Sequence, residues 1–96
     1  MELEIREFIA YLHDIKKTSI NTEMSYQRDL KKMWDFLKNR GVMSVTEVKE
    51  LELEGYISYM EREKFAASSI SRSVASMRAF FQFLWQFLSL LTFLRS

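Results

Sequence analysis

A chain of 96 residues with no proline and only two glycines, Gly41 and Gly55, has little with which to turn tightly. Proline and glycine break helices, and glycine supplies the left-handed backbone that many turns require. Their scarcity predicts an all-α fold of helices joined by short connections. It argues against sandwiches and barrels, whose many hairpins need such residues. The length suits one domain around one core. Hydrophobic residues make up 48% and charged residues 28%, a globular balance.

Cysteine is absent, which removes disulfides and thiolate metal sites and fits a cytoplasmic setting. The acidic, amphipathic start Glu2-Leu3-Glu4-Ile5-Arg6-Glu7 is unlike a secretory signal.

Apolar periodicity predicts four helices. The first spans roughly 3–16, with Ile5, Phe8, Ile9, Leu12 and Ile15 on one face and acidic residues at its positive end. A polar break, 16–21, ends in residues suited to N-capping. The second runs from about 21 to 40, with Tyr26, Leu30, Met33, Trp34 and Leu37 inward and Ser25, Arg28, Lys32 and Asn39 on a contrasting face, with Lys31 beside them. Gly41 stops it. Ser44-Val45-Thr46-Glu47 has capping-box spacing and opens a third helical region, about 45–63, which Gly55 is expected to divide. The fourth and longest begins near Ser68. Its row Ile70, Val74, Met77, Phe81, Leu84, Leu88, Leu91 is expected to face the core. A neighbouring row, Ser69, Ser73, Ser76, Phe80, Phe83, Phe87, Leu90, Leu94, changes from small and polar to apolar halfway along.

The formal net charge is only +1, but it is unevenly spread. Residues 16–40 hold seven bases and three acids, and residues 67–96 hold three arginines and no acid. Folded together, those two stretches would offer a polyanion a docking surface. Both open a helix with hydroxyl-bearing residues followed by cations. Free N–H groups and the dipole at a helix start favour phosphate, and Lys and Arg add the salt-sensitive attraction that dominates nucleic-acid affinity.

Catalytic signals are weak. His13 is the only histidine and reads as a solitary surface residue. Tyr11, Tyr26, Tyr56 and Tyr59 sit in amphipathic segments and read as packing residues. No nucleophile–base pair, phosphate-cradling loop, cofactor or metal site is indicated.

Phe8-Ile9-Ala10-Tyr11-Leu12, Ser19-Ile20-Asn21-Thr22, Tyr26-Gln27-Arg28-Asp29-Leu30 and Trp34-Asp35-Phe36-Leu37 with Arg40-Gly41 follow one another along the first half. Ala67-Ser68-Ser69-Ile70-Ser71-Arg72 and Ser76-Met77-Arg78-Ala79-Phe80-Phe81-Gln82-Phe83-Leu84 continue in the second. In that order, over about residues 5–85, they resemble the N-terminal core-binding domain of the tyrosine recombinases, the phage integrase or Xer-like family. The resemblance implies a four-helix SAM-like bundle forming half of a clamp on duplex DNA, with the second and fourth helices against the DNA. By matching position it implies Thr22, Ser25, Arg28 and Lys31 as contacts, with Lys32 as their neighbour, and Ser68, Ser69, Arg72 and Ser73 from the fourth helix. The family's recombination chemistry lies in a separate catalytic domain, so this chain is expected to be a DNA-binding fragment rather than an enzyme. Arg28→Ala or Arg72→Ala is expected to weaken DNA binding without loss of stability.

From Ala79 to Leu94 no residue is charged. This stretch is short for a membrane span. It divides the chain into a core-binding domain, 1–85, and an apolar extension of the last helix, 86–96. Self-association through Phe83, Phe87, Leu90 and Leu94, giving a homodimer, is expected from the second apolar row. The alternative function is therefore a helical protein-interaction or oligomerisation module built on that helix.

Overall fold

The computed structural model describes the backbone of residues 1–95 and the side chains of residues 1–86. Four α-helices, α1 (Glu2–Asp14), α2 (Ile20–Asn39), α3 (Glu50–Arg62) and α4 (Ala67–Arg95), are joined by short segments, with a 3-10 turn at Val45–Glu47. No strand occurs among the described residues. None of their helices is long and apolar enough to cross a membrane.

The local chemistry sets the boundaries. Glu2 and Glu4 occupy the first turn of α1, where the helix dipole favours negative charge. The chain leaves α1 through Lys17, whose positive φ of 57° reverses it within a few residues. Ser19 caps α2, its Oγ accepting from the Thr22 amide at 3.2 Å. Gly41, at φ 91°, ends α2. Its amide donates to the Lys38 carbonyl at 3.0 Å and that of Val42 to Leu37 at 3.1 Å, the paired bonds of a Schellman stop. Glu47 accepts from the Ser44 amide at 3.3 Å, and Glu52 from the Lys49 amide at 2.9 Å. Gly55 lies inside α3 and does not divide it, because a single glycine weakens a helix without ending it.

The core is drawn from every helix: Ile5, Phe8 and Leu12; Leu30, Met33, Trp34 and Leu37; Tyr56 and Met60; Met77, Phe80 and Leu84. Phe8 and Phe80 meet at its centre, with ring centroids 5.7 Å apart.

On α4 the buried face is Ser73, Ser76, Met77, Phe80 and Leu84, whereas Ile70, Val74 and Phe81 are only partly buried. Among the described residues the α4 core side chains come from both rows, Met77 and Leu84 from the expected seam and Phe80 from the second, with Ile70, Val74 and Phe81 packed against them. In the polar start of the second row Ser76 meets Asp29 of α2, and from its apolar part Phe80 and Phe83 pack on Phe8. The switch from polar to apolar thus follows the chain's own interior.

Candidate nucleic-acid interface

The α2–α4 seam is built around one carboxylate. Asp29 is only 4% exposed, and a charge so placed needs partners. It has three hydrogen bonds, all from α4. Arg72 donates from Nε to Oδ2 at 3.0 Å and from Nη2 to Oδ1 at 3.2 Å. Ser76 donates from Oγ to Oδ2 at 3.3 Å. Among the described residues no buried side-chain polar atom lacks a partner. Beside this cluster the Tyr56 hydroxyl is pushed up to about 12, first by burial, then by the negative charge of Asp29, and least by Tyr59.

The Arg72 side chain is half-exposed. Below it a groove of about 220 Å³ runs between α2 and α4, bordered by Thr22, Ser25, Tyr26, Asp29, Arg72, Ala75 and Ser76. Ala75, with no side chain beyond Cβ, leaves the groove open. Thr22 Oγ1 accepts from Ser19 Oγ at 2.9 Å, which leaves its own proton available to a ligand. A second groove of about 400 Å³, between α1, α2 and α4, shares Thr22 and Tyr26 and adds Lys16, Thr18 and Gln86.

Ser25, Arg28 and Lys32 are spaced three and four residues apart and share one strip of α2. Arg28 and Lys32 are exposed and make no ion pair among the described residues, so their charge faces solvent uncompensated.

A model of the phage integrase N-terminal SAM-like domain matches residues 5–86. The chain belongs to this family.

Curated relatives of this integrase-type domain carry the same lineage. The chain is 28% identical over 79 residues to a protein named tyrosine recombinase XerC from Listeria monocytogenes, covering 82% of this chain and 26% of the relative. It is 33% identical over 81 residues to tyrosine recombinase XerD of Agrobacterium fabrum, covering 84% and 24%. The chain thus spans about a quarter of the length of the curated relatives it matches. No solved structure gives a significant match.

Within the integrase-type bundle, the residues singled out from sequence do not all come together. Thr22, Ser25 and Arg72 border one groove. Arg28 and Lys32 share the helix strip of Ser25, and Lys32 also borders a separate groove with Asp35, Phe36, Tyr56, Tyr59 and Phe65. Ser68 and Ser69 stand in the first turn of α4, where the Ile70 amide reaches back to Ala66. Lys31 stands apart, about 100° around α2 from Lys32, in a groove with Glu2, Ile5, Arg6, Gln27 and Trp34. Ser73 is 7% exposed and turned inward. Phe83 packs on Phe8 and Tyr11, with centroids 5.4 and 5.0 Å apart. The side chains of Phe87, Leu90 and Leu94, named with it for self-association, lie outside the described residues.

Sequence reasoning missed two polar clusters. Asp29 was passed over because an acid on a basic helix looks like surface charge. Its position between the apolar residues Tyr26 and Leu30 was the available signal. His13 is not solitary: its Nδ1 lies 3.3 Å from Glu23 Oε2, which also accepts from Thr18 Oγ1 at 2.8 Å.

Proposed function

We propose that this chain is the DNA-gripping module of a site-specific tyrosine recombinase, acting in the cytoplasm on duplex DNA without carrying the recombination chemistry itself. The observation that carries the reading is the shared groove of Thr22, Ser25 and Arg72, flanked by the unpaired cations Arg28 and Lys32 in an integrase-type domain. Arg28 and Lys32 would meet phosphates, and Thr22, Ser25, Ser68 and Ser69 would add short contacts. Lys31 would reach the backbone from the other side of α2. Ser73 would act only by setting the close approach of α4 to α2. Residues 1–85 then form the module, and 86–96 extend its last helix.

Binding to DNA of unmatched sequence should be weak, with Kd on the order of 10⁻⁴–10⁻⁶ M at physiological salt. A fluorescence anisotropy titration of a mixed-sequence duplex at several salt concentrations tests this. The wild type should bind with a steep salt dependence, and Arg28→Ala or Lys32→Ala should lower affinity and reduce the slope of log K on log salt by about one each. Affinity and slope unchanged in both variants would contradict the assignment. Homodimerisation through Phe83, Phe87, Leu90 and Leu94 is the alternative, and sedimentation of the same sample reads it directly. Phe83 already serves the core, which weakens that alternative.

A further inference from the structure

An arginine on a DNA-facing surface is ordinarily a flexible chain with a charge at its end. Arg72 is not. Its guanidinium has five N–H donors, and Nε and Nη2 give two of them to the two oxygens of Asp29. Three N–H groups remain on a side chain that is 48% exposed at the groove holding Thr22 and Ser25. The anchor is itself fixed: Asp29 is buried, and Ser76, at 3% exposure, donates to it from the next turn of α4. A bidentate pair of this kind sets the guanidinium plane as well as its position. The rotamer freedom that a free arginine would lose on binding is already lost in the folded chain.

We infer that Asp29 is a positioning residue for DNA binding, holding Arg72 so that its outward N–H groups meet a phosphate or the edge of a base; this rests on the DNA-binding reading above. The inference has an unusual sign. Asp29 carries negative charge, and by charge alone its removal should strengthen binding to a polyanion. If its part is to aim Arg72, removal weakens binding instead.

The test compares the full chain with Asp29→Asn, Arg72→Ala, the double variant and Arg72→Lys on one mixed-sequence duplex at fixed salt, with helicity checked by circular dichroism. Asp29→Asn should bind about tenfold more weakly, the scale of one well-placed arginine contact. The double variant should bind no more weakly than Arg72→Ala, because Asp29 acts only through Arg72. Arg72→Lys keeps the charge but lacks the planar fork that donates two parallel bonds to Asp29, and should lose nearly as much as Arg72→Ala. That variant decides the matter if Asp29→Asn fails to fold. Undiminished or tighter binding by Asp29→Asn, additive losses in the double variant, or wild-type affinity in Arg72→Lys would each overturn the inference. If Arg28→Ala weakens binding while any of those results holds, only the role of Asp29 falls. If neither Arg28→Ala nor Arg72→Ala changes affinity, the DNA surface falls with it.

Discussion

Asp29 on α2 and Arg72 on α4, 43 residues apart in sequence, are joined by two hydrogen bonds of 3.0 and 3.2 Å. This pair ties the two helices whose exposed residues make the candidate interface. It also changes what a substitution there means. From sequence alone Arg72 was expected to be removable without loss of stability, but it neutralises a buried carboxylate.

Arg72→Ala should therefore destabilise the domain by about 2 kcal/mol, less than a fully buried pair would lose because the arginine is half in solvent. Arg28→Ala, with no partner to orphan, should stay within about 0.5 kcal/mol of wild type. Urea denaturation followed by circular dichroism distinguishes them. Equal stability of the two variants would show that the pair contributes nothing.

Phe80 is 0% exposed and packs edge-on against Phe8. Phe80→Ala should cost about 3–5 kcal/mol, as expected for an aromatic removed from a close-packed core. Phe81, only partly buried, should cost markedly less on the same change. The reverse order would mean that Phe81, rather than Phe80, fills the core.

Tyr56 adds a pH dependence at the alkaline end. Its folded pKa, pushed up to about 12, lies above the unfolded value of about 10, so the folded state holds the proton more tightly. The stability linked to this group is complete below pH 10 and declines as pH rises from there through 12. Tyr56→Phe should flatten that decline in urea midpoints measured from pH 9 to 12. A wild-type curve with no fall beyond that of the variant would argue against the shift.

At the start of α2, Ser19→Ala removes the acceptor of the Thr22 amide. A loss of about 1 kcal/mol is expected, the usual value of an N-cap side chain. Ser19→Asp should retain most of that stability, since aspartate caps as well and suits the positive helix end. Thermal melts of the two variants compare them directly.

The helices were legible because apolar spacing and Gly41 mark them by local chemistry, but the Ser44–Glu47 capping box starts only a 3-10 turn and α3 begins later, at Glu50. The face of α4 that meets the core was legible only in part: Met77 and Leu84 lie on the expected row, Phe80 on its neighbour. A helix with apolar residues on several sides carries the right period without stating which side docks. Ser76 lies inside because α2 brings a carboxylate to meet it, a contact that no local pattern can display. The same reason explains the candidate site. Counting charge marks both basic segments, and the family resemblance names Thr22, Ser25 and Ser69 by position. The division of Lys31 from Lys32 follows from helical rotation and from which neighbours flank α2. Arg72 gains its second role only through a residue from the other half of the chain.

The central claim is that the open side of the α2–α4 seam faces duplex DNA. Amide chemical-shift mapping of the labelled chain with a mixed-sequence duplex tests it most directly. The account predicts shifts at Thr22, Ser25, Arg28, Lys32, Ser69 and Arg72 that shrink as salt is raised. Shifts confined to α3, or none at low salt, would contradict it.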